Sequence, residues 1–396
     1  MKKLFLLVIL LRVGVVNAAD LYVNNSGQAG TYTTISAAIT AAAANDRIFV
    51  SPYGVYTENL TIAKSLTLTS AVANTRFSVV GSLTVTSAAN QDVVIIGGEF
   101  SGGVTGNTGT ATLTTKGNLT VSDCITAGIN SGDFIKTKIL FSTISSTGTV
   151  FIRNGYIVGS QIGGDINISD GPNSGVGDTI LIIANKISYG ITWANNDNYF
   201  LIANNFISQG YIYIGLFQFN SIIKNTIRNN TVLNACGFAT SCGYGKCLKL
   251  VGFVNANMSN IEIYNNIFQD ETGSYTGDVG CGQATCFAFT GSAKFFYNIG
   301  EGVSGIVGNI NNAGGLVTNG LGESVDAKVV NQGSPALQYY DIDLTRNDMG
   351  TFGGPYSIDN YWNTATGRAR VYDLTMPFEI WNGSTPSIKA EGTHIK

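Results

Sequence analysis

Charge and histidine are what this sequence has least of. Of its 396 residues 12% are charged, 22 Lys and Arg stand against 25 Asp and Glu, and the net charge is −3. The cations are scattered and form no basic stripe to neutralise phosphate, which argues against nucleic acid as a partner. The single histidine, His394, and the lack of paired short cysteine intervals argue against a Cys/His zinc site. After Asp20 no apolar run approaches the roughly 20 residues of a spanning helix, so no membrane span is expected beyond the amino-terminal segment. What fills the chain instead is 49 glycines with abundant Asn, Thr, Ser and Ile. Low charge combined with many β-branched residues favours sheet over disorder.

The chain opens with Lys2 and Lys3, an apolar run from Leu4 to Leu11, and a small-residue ending at Asn17-Ala18-Ala19. That is the pattern of a secretory signal peptide cleaved after Ala18 or Ala19, with Arg12 shortening the apolar region against retention as an anchor. The expected location is therefore outside the cell or at the cell surface. Six cysteines suit such an oxidising compartment. Cys236, Cys242 and Cys247 lie in one Gly-rich insertion and Cys281 and Cys286 in another, so disulfides within or between the insertions are expected.

From Tyr32 to Ile62 one helix pattern precedes two strand patterns. Ile35, Ala38, Ile39 and Ala42 recur at helical spacing, whereas Ile48 and Val50, then Leu60, Ile62, Leu66 and Leu68, alternate at strand spacing, with Pro52 and Gly54 marking the turn between them. This segment resembles the amino-terminal cap and first coil of the right-handed parallel β-helix proteins, the pectin lyase-like group, in which a helix plugs the open end of the coil. The resemblance implies an all-β solenoid, a right-handed single-stranded parallel β-helix with an N-terminal capping helix and a C-terminal cap or tail. It is specific for architecture and not for activity, because this fold carries lyases, hydrolases, esterases, tailspikes and adhesins.

An internal repeat supports the same fold. Asn185, Asn205, Asn225, Asn266 and Asn298 each precede an apolar residue within two positions, and the first three stand 20 residues apart. A fixed period with insertions confined to one place is the signature of a solenoid. The asparagines are expected to form a ladder at a sharp turn, each in the left-handed conformation that Asn tolerates, with Ile187, Ile207, Ile227 and Phe268 stacking inward. Residues 1–19 read as signal peptide, 20–320 as capped β-helix, and 321–396 as a carboxy-terminal cap and tail. In the tail, Gly333-Ser-Pro-Ala followed by Arg346-Asn-Asp-Met-Gly-x-x-Gly-Gly resembles the element found after the coils in many secreted bacterial β-helix proteins.

Catalytic motifs of the group are mostly missing. Asn-Thr-Asp, Asp-Asp, Gly-His-Gly and Arg-Ile-Lys of the galacturonases are absent, as are the Trp-x-Asp-His and Arg-x-Pro-x-x-Arg patterns of pectate lyases. Gly132-Asp133-Phe134-Ile135 matches part of a pectin methylesterase motif, but Lys136 and Thr137 replace its closing Phe-Gly. Register on the ladder sets Arg228, Asn229 and Asp270 side by side, with Glu271, Gln209, Trp193, Tyr211 and Tyr213 nearby. Aromatic faces beside carboxylates and an arginine suit a sugar groove, with Arg228 and Asp270 as candidate catalytic groups and Trp193, Gln209, Tyr211, Asn229 and Glu271 as ligand contacts. Asp341, Asp343 and Asp348 cluster closely enough to offer oxygens to Ca2+.

Three readings follow. One is a non-enzymatic extracellular component that binds polysaccharide or a cell-surface glycan along one sheet. Another is a lyase or hydrolase of an undescribed family, with a groove near the cysteine insertions. The third is self-association into a fibre through an apolar stripe of Ile183, Ile223, Tyr264 and Phe296, unless the tail covers it. A flat row of Thr, Asn and aromatic residues would mark the binder, whereas clustered carboxylates with a cation in one cleft would mark the enzyme.

Overall fold

A computed structural model describes residues 18–86, 91–106, 117–132, 136–169, 179–195, 199–216, 225–234, 248–252, 261–270, 279–281, 294–300, 308–311, 316, 318–362, 369–375 and 389–394. Among these, three sheets of 12, 10 and 12 strands form the body, and a separate two-stranded ribbon joins Ala369–Thr375 to Lys389–His394. Strands within the three large sheets pair in parallel, each with the strand three places away in sequence except at the two ends, as Thr179–Ile183 pairs Tyr199–Ala203 and Ile191–Asn195 pairs Ile212–Leu216. The chain thus visits sheet one, sheet three and sheet two in turn and climbs one strand spacing per circuit. This is the expected parallel β-helix. No described helix is long and apolar enough to cross a membrane.

Short strands alternate in and out, so one or two residues per strand reach the interior. Ile48, Leu68, Ile95, Val121, Ile139, Ile157, Ile182, Ile202, Ile227 and Ile263 are all 0% exposed and stack up sheet one. Nearly uniform Ile, Leu and Val is what stacking in register requires, since each side chain packs on its equivalent one coil away.

At the amino-terminal end the helix Ile35–Ala41 closes this core with Ile35, Ala38 and Ile39. Thr34 caps it, and two partners from the first coil hold its ends. The Glu58 carboxylate accepts the N–H groups of Ile35 (2.8 Å) and Ser36 (3.0 Å), and Lys64 Nζ donates to the carbonyls of Ile39 (3.0 Å) and Ala42 (2.6 Å). An anion at the N-terminus and a cation at the C-terminus satisfy the unpaired backbone groups and oppose the helix dipole correctly.

The asparagine ladder exists, with one rung corrected. Each rung's backbone N–H donates to the side-chain oxygen of the rung on the next coil: Asn185 to Asn205 (3.0 Å), Asn205 to Asn230 (3.0 Å), Asn230 to Asn266 (2.9 Å) and Asn266 to Asn298 (3.1 Å). Each Nδ2 in turn donates to a carbonyl of the coil before, as Asn205 does to Ile182 (2.8 Å). Asn225, the expected third rung, instead opens the strand Asn225–Arg228 and accepts from Phe200 N–H at 2.8 Å. The coil after Asn205 is longer than 20 residues, and its core position is filled from Val232, not Ile227, behind the true rung Asn230. Upstream the same column continues through Ser160, Ser142 and Cys124, each bonded to the next.

The left-handed residue is also displaced by one. It is the residue before each rung, in Asp123, Phe141, Gly159, Ala184, Asn204, Asn229, Asn265 and Tyr297, all with φ between 48° and 59°. The rung itself is thereby freed to point inward and bond, while its predecessor points outward.

Candidate functional site

Arg228, Asn229 and Asp270 do not come together. Arg228 ends its strand in sheet one and pairs with Ala203 on one side and Tyr264 on the other, whereas Asp270 ends Ile267–Asp270 in sheet three opposite Asn234. The five-residue displacement of the ladder rung is the reason: counted from Asn230, Arg228 precedes the turn and Asp270 follows it. The Asp270 side chain and all of Glu271 lie outside the described residues.

Both Arg228 and Asn229 are covered by the carboxy-terminal tail. Asn229 is 1% exposed, and its Nδ2 donates to Asn347 Oδ1 (2.8 Å) and Asp348 O (3.0 Å). Its left-handed neighbours on adjacent coils do likewise: Asn204 Nδ2 donates to Thr351 O (2.9 Å) and Gly353 O (2.6 Å), and Asn265 Oδ1 accepts from Ser334 N–H (2.7 Å). Arg228 donates to Tyr264 Oη (3.2 Å) and lies beneath the rings of Tyr356 (5.1 Å) and Tyr339 (6.0 Å). Burial opposes its charge, but the surrounding tyrosines outweigh that and hold the guanidinium protonated above its ordinary range. It is an anchor for the tail, enclosed and without a carboxylate partner among its described contacts.

The Arg346-Asn347-Asp348-Met349-Gly350 run supplies most of this clamp. Arg346 Nε donates to Gly333 O (2.7 Å), Asn347 bonds Asn229, Asp348 accepts from Asn331 N–H (2.6 Å), and Met349 packs with Ile267, Ile299 and Val329. Gly350 has φ +87°, and a Cβ there would lie 2.6 Å from Ile267 Cδ1 and 2.7 Å from Thr231 Oγ1, so only glycine lets the tail come this close. Farther back, Ile358, Tyr361 and Trp362 cover Val158, Ile183 and Ala203, and Trp362 Nε1 donates to Ala184 O at 2.7 Å. Ile183 and Tyr264, members of the anticipated apolar stripe, are thus 1% and 2% exposed under the tail; Ile223 lies outside the described residues.

Trp193 is core, at 1% exposure, with its ring 4.8 Å from Phe200. Strand alternation decides this: Ile191 and Trp193 face in and Thr192 faces out. Gln209 is exposed in a turn, and Tyr211 is partly exposed just ahead of Ile212–Leu216, against Gly190.

Among the described residues, the outer side of sheet two carries an open row. Its pairing registers one outward position from coil to coil: Thr61, Thr84 and Thr105, then Asn130, Phe151 and Asn167, then Thr192 and Tyr213, after which the register runs on to Lys249, whose side chain lies outside the described residues, and Gly280. From Thr61 to Tyr213 all are exposed or partly exposed, with Phe151 at 42%. At a strand spacing of about 4.8 Å the stretch from Thr61 to Tyr213 is about 34 Å long. Sequence reasoning missed it because its members share no motif; the signal was the polar residue flanked by two apolar ones in Leu60-Thr-Ile, Leu83-Thr-Val and Ile191-Thr-Trp.

The three tail aspartates are each engaged by backbone or hydroxyl donors. Asp341 accepts from Asp348 N–H (3.1 Å) and Gly354 N–H, Asp343 from Thr345 N–H (3.0 Å) and Oγ1 (2.7 Å), and Asp348 from Asn331 N–H. Among the described residues no three His, Cys, Asp or Glu side chains are grouped to hold a metal ion. Burial, with Asp348 and Asp343 adding to it, raises Asp341 to about 6, and burial also raises Asp348; hydrogen bonds from Thr345 lower Asp343.

Of the cysteines, Cys124 is a free, buried thiol in the ladder column, pushed up to about 12 by burial. Cys236, Cys242, Cys247 and Cys286 lie outside the described residues, as does the Cys281 side chain, and so do Asp133, Phe134 and Ile135 of the partial esterase motif and the leader.

No family model and no curated protein matches this chain. Among solved structures it is similar to the pectin methylesterase from Aspergillus niger in deglycosylated form, at 16% identity over 73% of this chain and 87% of that one, with a TM-score of 0.27. The penultimately deglycosylated form of that enzyme matches at 15% identity over the same shares, with a TM-score of 0.23. Superposition this loose carries no argument about activity, and the fold stands on the sheet pairing itself.

Proposed function

We propose that this protein is a polysaccharide-binding solenoid that works outside the cell and holds an extended glycan along the outer face of sheet two. The observation that supports the reading is the row from Thr61 to Tyr213, in which hydroxyls and amides stand with two aromatic rings on a surface that the described tail residues leave exposed or partly exposed. Hydroxyl and amide groups exchange hydrogen bonds with sugar hydroxyls, and ring faces accept the apolar faces of pyranoses. The row is flat and rigid because every member sits on a paired strand, so little ordering cost accompanies binding. The leader-like first 19 residues support an extracellular setting.

Affinity electrophoresis through gels containing single polysaccharides tests this. Retardation by at least one polysaccharide, relieved by Phe151→Ala, is the expected result; equal mobility in every gel, or retardation untouched by that change, would remove the reading.

A further inference from the structure

Asp46 is buried beside the first strand, at 3% exposure, and its described partners are uncharged. Its Oδ1 accepts from Ala19 N–H (2.7 Å) and its Oδ2 from Ala43 N–H (2.7 Å). The cations nearest to it in the chain are engaged elsewhere. Arg47 Nε and Nη2 bond the two Asp20 oxygens at 2.8 and 2.9 Å, and Lys64 Nζ bonds the carbonyls of Ile39 and Ala42. A carboxylate desolvated in this way, with two amide donors alone, lacks the countercharge that burial ordinarily requires.

We propose that the chain is processed at the Ala18–Ala19 bond and that the ammonium group of the new terminus, on Ala19, is the missing countercharge. This rests on the leader reading of residues 1–19 and is independent of the glycan. A leader-removing protease breaks the bond from the Ala18 carbonyl carbon to the Ala19 nitrogen by hydrolysis. Water gives its hydroxyl to the carbonyl carbon and a proton to the nitrogen; the proton of the carboxylic acid so formed passes to the amine, leaving a carboxylate on Ala18 and an ammonium on Ala19. A free α-amino group titrates near pH 8, so at neutral pH a charge-assisted bond replaces the neutral one to Asp46.

Two observations choose this bond over the next one. Val16-Asn17-Ala18 places compact apolar residues either side of Asn17, as leader cleavage requires, whereas a cut after Ala19 would set Asn17 itself in the first of those places. The packing decides more sharply. Losing Ala19 removes the donor to Asp46 and also the carbonyl that accepts Arg47 N–H at 2.9 Å, so a buried carboxylate and the start of the sheet pairing both lose partners. Ala18 is exposed, and its loss removes neither bond. Strand Asp20–Val23 is the edge of sheet one, and an ion pair just ahead of it pins that edge to Arg47–Val50.

Amino-terminal sequencing and intact mass of the exported protein test the cut, and the rate at which an amine-acylating reagent labels the terminus at pH 7 tests the ion pair. The expected chain begins Ala19-Asp20-Leu21-Tyr22. Its α-amine should be labelled about tenfold more slowly in the folded protein than in urea, the factor of one pKa unit. Asp46→Asn, which keeps an oxygen for the hydrogen bond and removes the charge, should restore the unfolded rate; if that variant does not fold by circular dichroism, the folded-to-unfolded ratio of the parent decides. A chain cut at any other bond would overturn the inference and leave the leader reading standing, whereas a chain that keeps residues 1–18 would overturn both. Equal labelling of folded and unfolded protein, or slow labelling that survives Asp46→Asn, would overturn the ion pair. Retardation by polysaccharide is untouched by each of these outcomes, so the binding reading stands or falls separately.

Discussion

Asn229 and Asn347, 118 residues apart in sequence, are joined side chain to side chain at 2.8 Å in the buried seam between coil and tail. The contact exists because Asn229 is left-handed, at φ 52°, which turns its amide away from the core. Asn229→Gly keeps that backbone and deletes the amide, so it isolates the hydrogen bonds. We expect a loss of about 2–3 kcal/mol in tail docking, since buried acceptors are left unpaired. Hydrogen exchange over residues 331–354 should accelerate while the inward strands of sheet one stay protected.

The ladder predicts a graded series. Asn205→Ala removes an acceptor for Asn185 N–H and a donor to Ile182 O in a fully buried column, and should cost about 3 kcal/mol or more in urea unfolding. Asn205→Ser restores an acceptor, as Ser142 and Ser160 supply in the same column, and should recover part of the loss.

Cys124 occupies a rung, where it accepts no disulfide and donates toward Ser122 O at 3.2 Å. Cys124→Ser should therefore change stability by no more than about 1 kcal/mol, because the next rungs are serines that bond in the same way. Alkylation of the native protein followed by peptide mapping should leave Cys124 unmodified until the chain unfolds, in keeping with a thiol raised to about 12.

Asp341 gives the clamp a pH dependence. Its folded value, about 6, lies above the ordinary carboxylate range, so the folded state binds the proton more tightly than the unfolded one. Its contribution is fully present below about pH 4 and is lost as pH rises through about 6. Tail docking should accordingly tighten on acidification across that window, and Asp341→Asn should flatten the response. Thermal melts at pH 4 and pH 7 for the two proteins check the sign. Asp348, raised by the same burial, adds in the same direction, whereas exposed Asp343, lowered by Thr345, opposes it.

The architecture was legible because stacking imposes repetition, and repetition shows in one chain as Asn followed by an inward Ile or Phe. An interval of 20 residues points to Asn225, whereas the rung is Asn230 because that coil is longer. Asn204-Asn205, Asn229-Asn230 and Asn265-Asn266 are doublets, one residue for the left-handed turn and one for the rung, and reading them as pairs would have placed Asn230 correctly. Arg228 looked like a catalytic group because position along a coil says nothing of what the distant tail lays over it. The open row was illegible for the opposite reason: Thr61 and Tyr213 share only a register, which pairing reveals and spacing does not.

The proposed glycan meets sheet two and no other face. Asn130 is exposed in that row, and Gln161 is exposed at an outward position of sheet three. Asn130→Arg and Gln161→Arg are compared for retardation in a gel of the polysaccharide that retards the parent protein. Binding on sheet two requires that Asn130→Arg lose retardation and Gln161→Arg keep it; loss with Gln161→Arg alone, or retardation of both, overturns it.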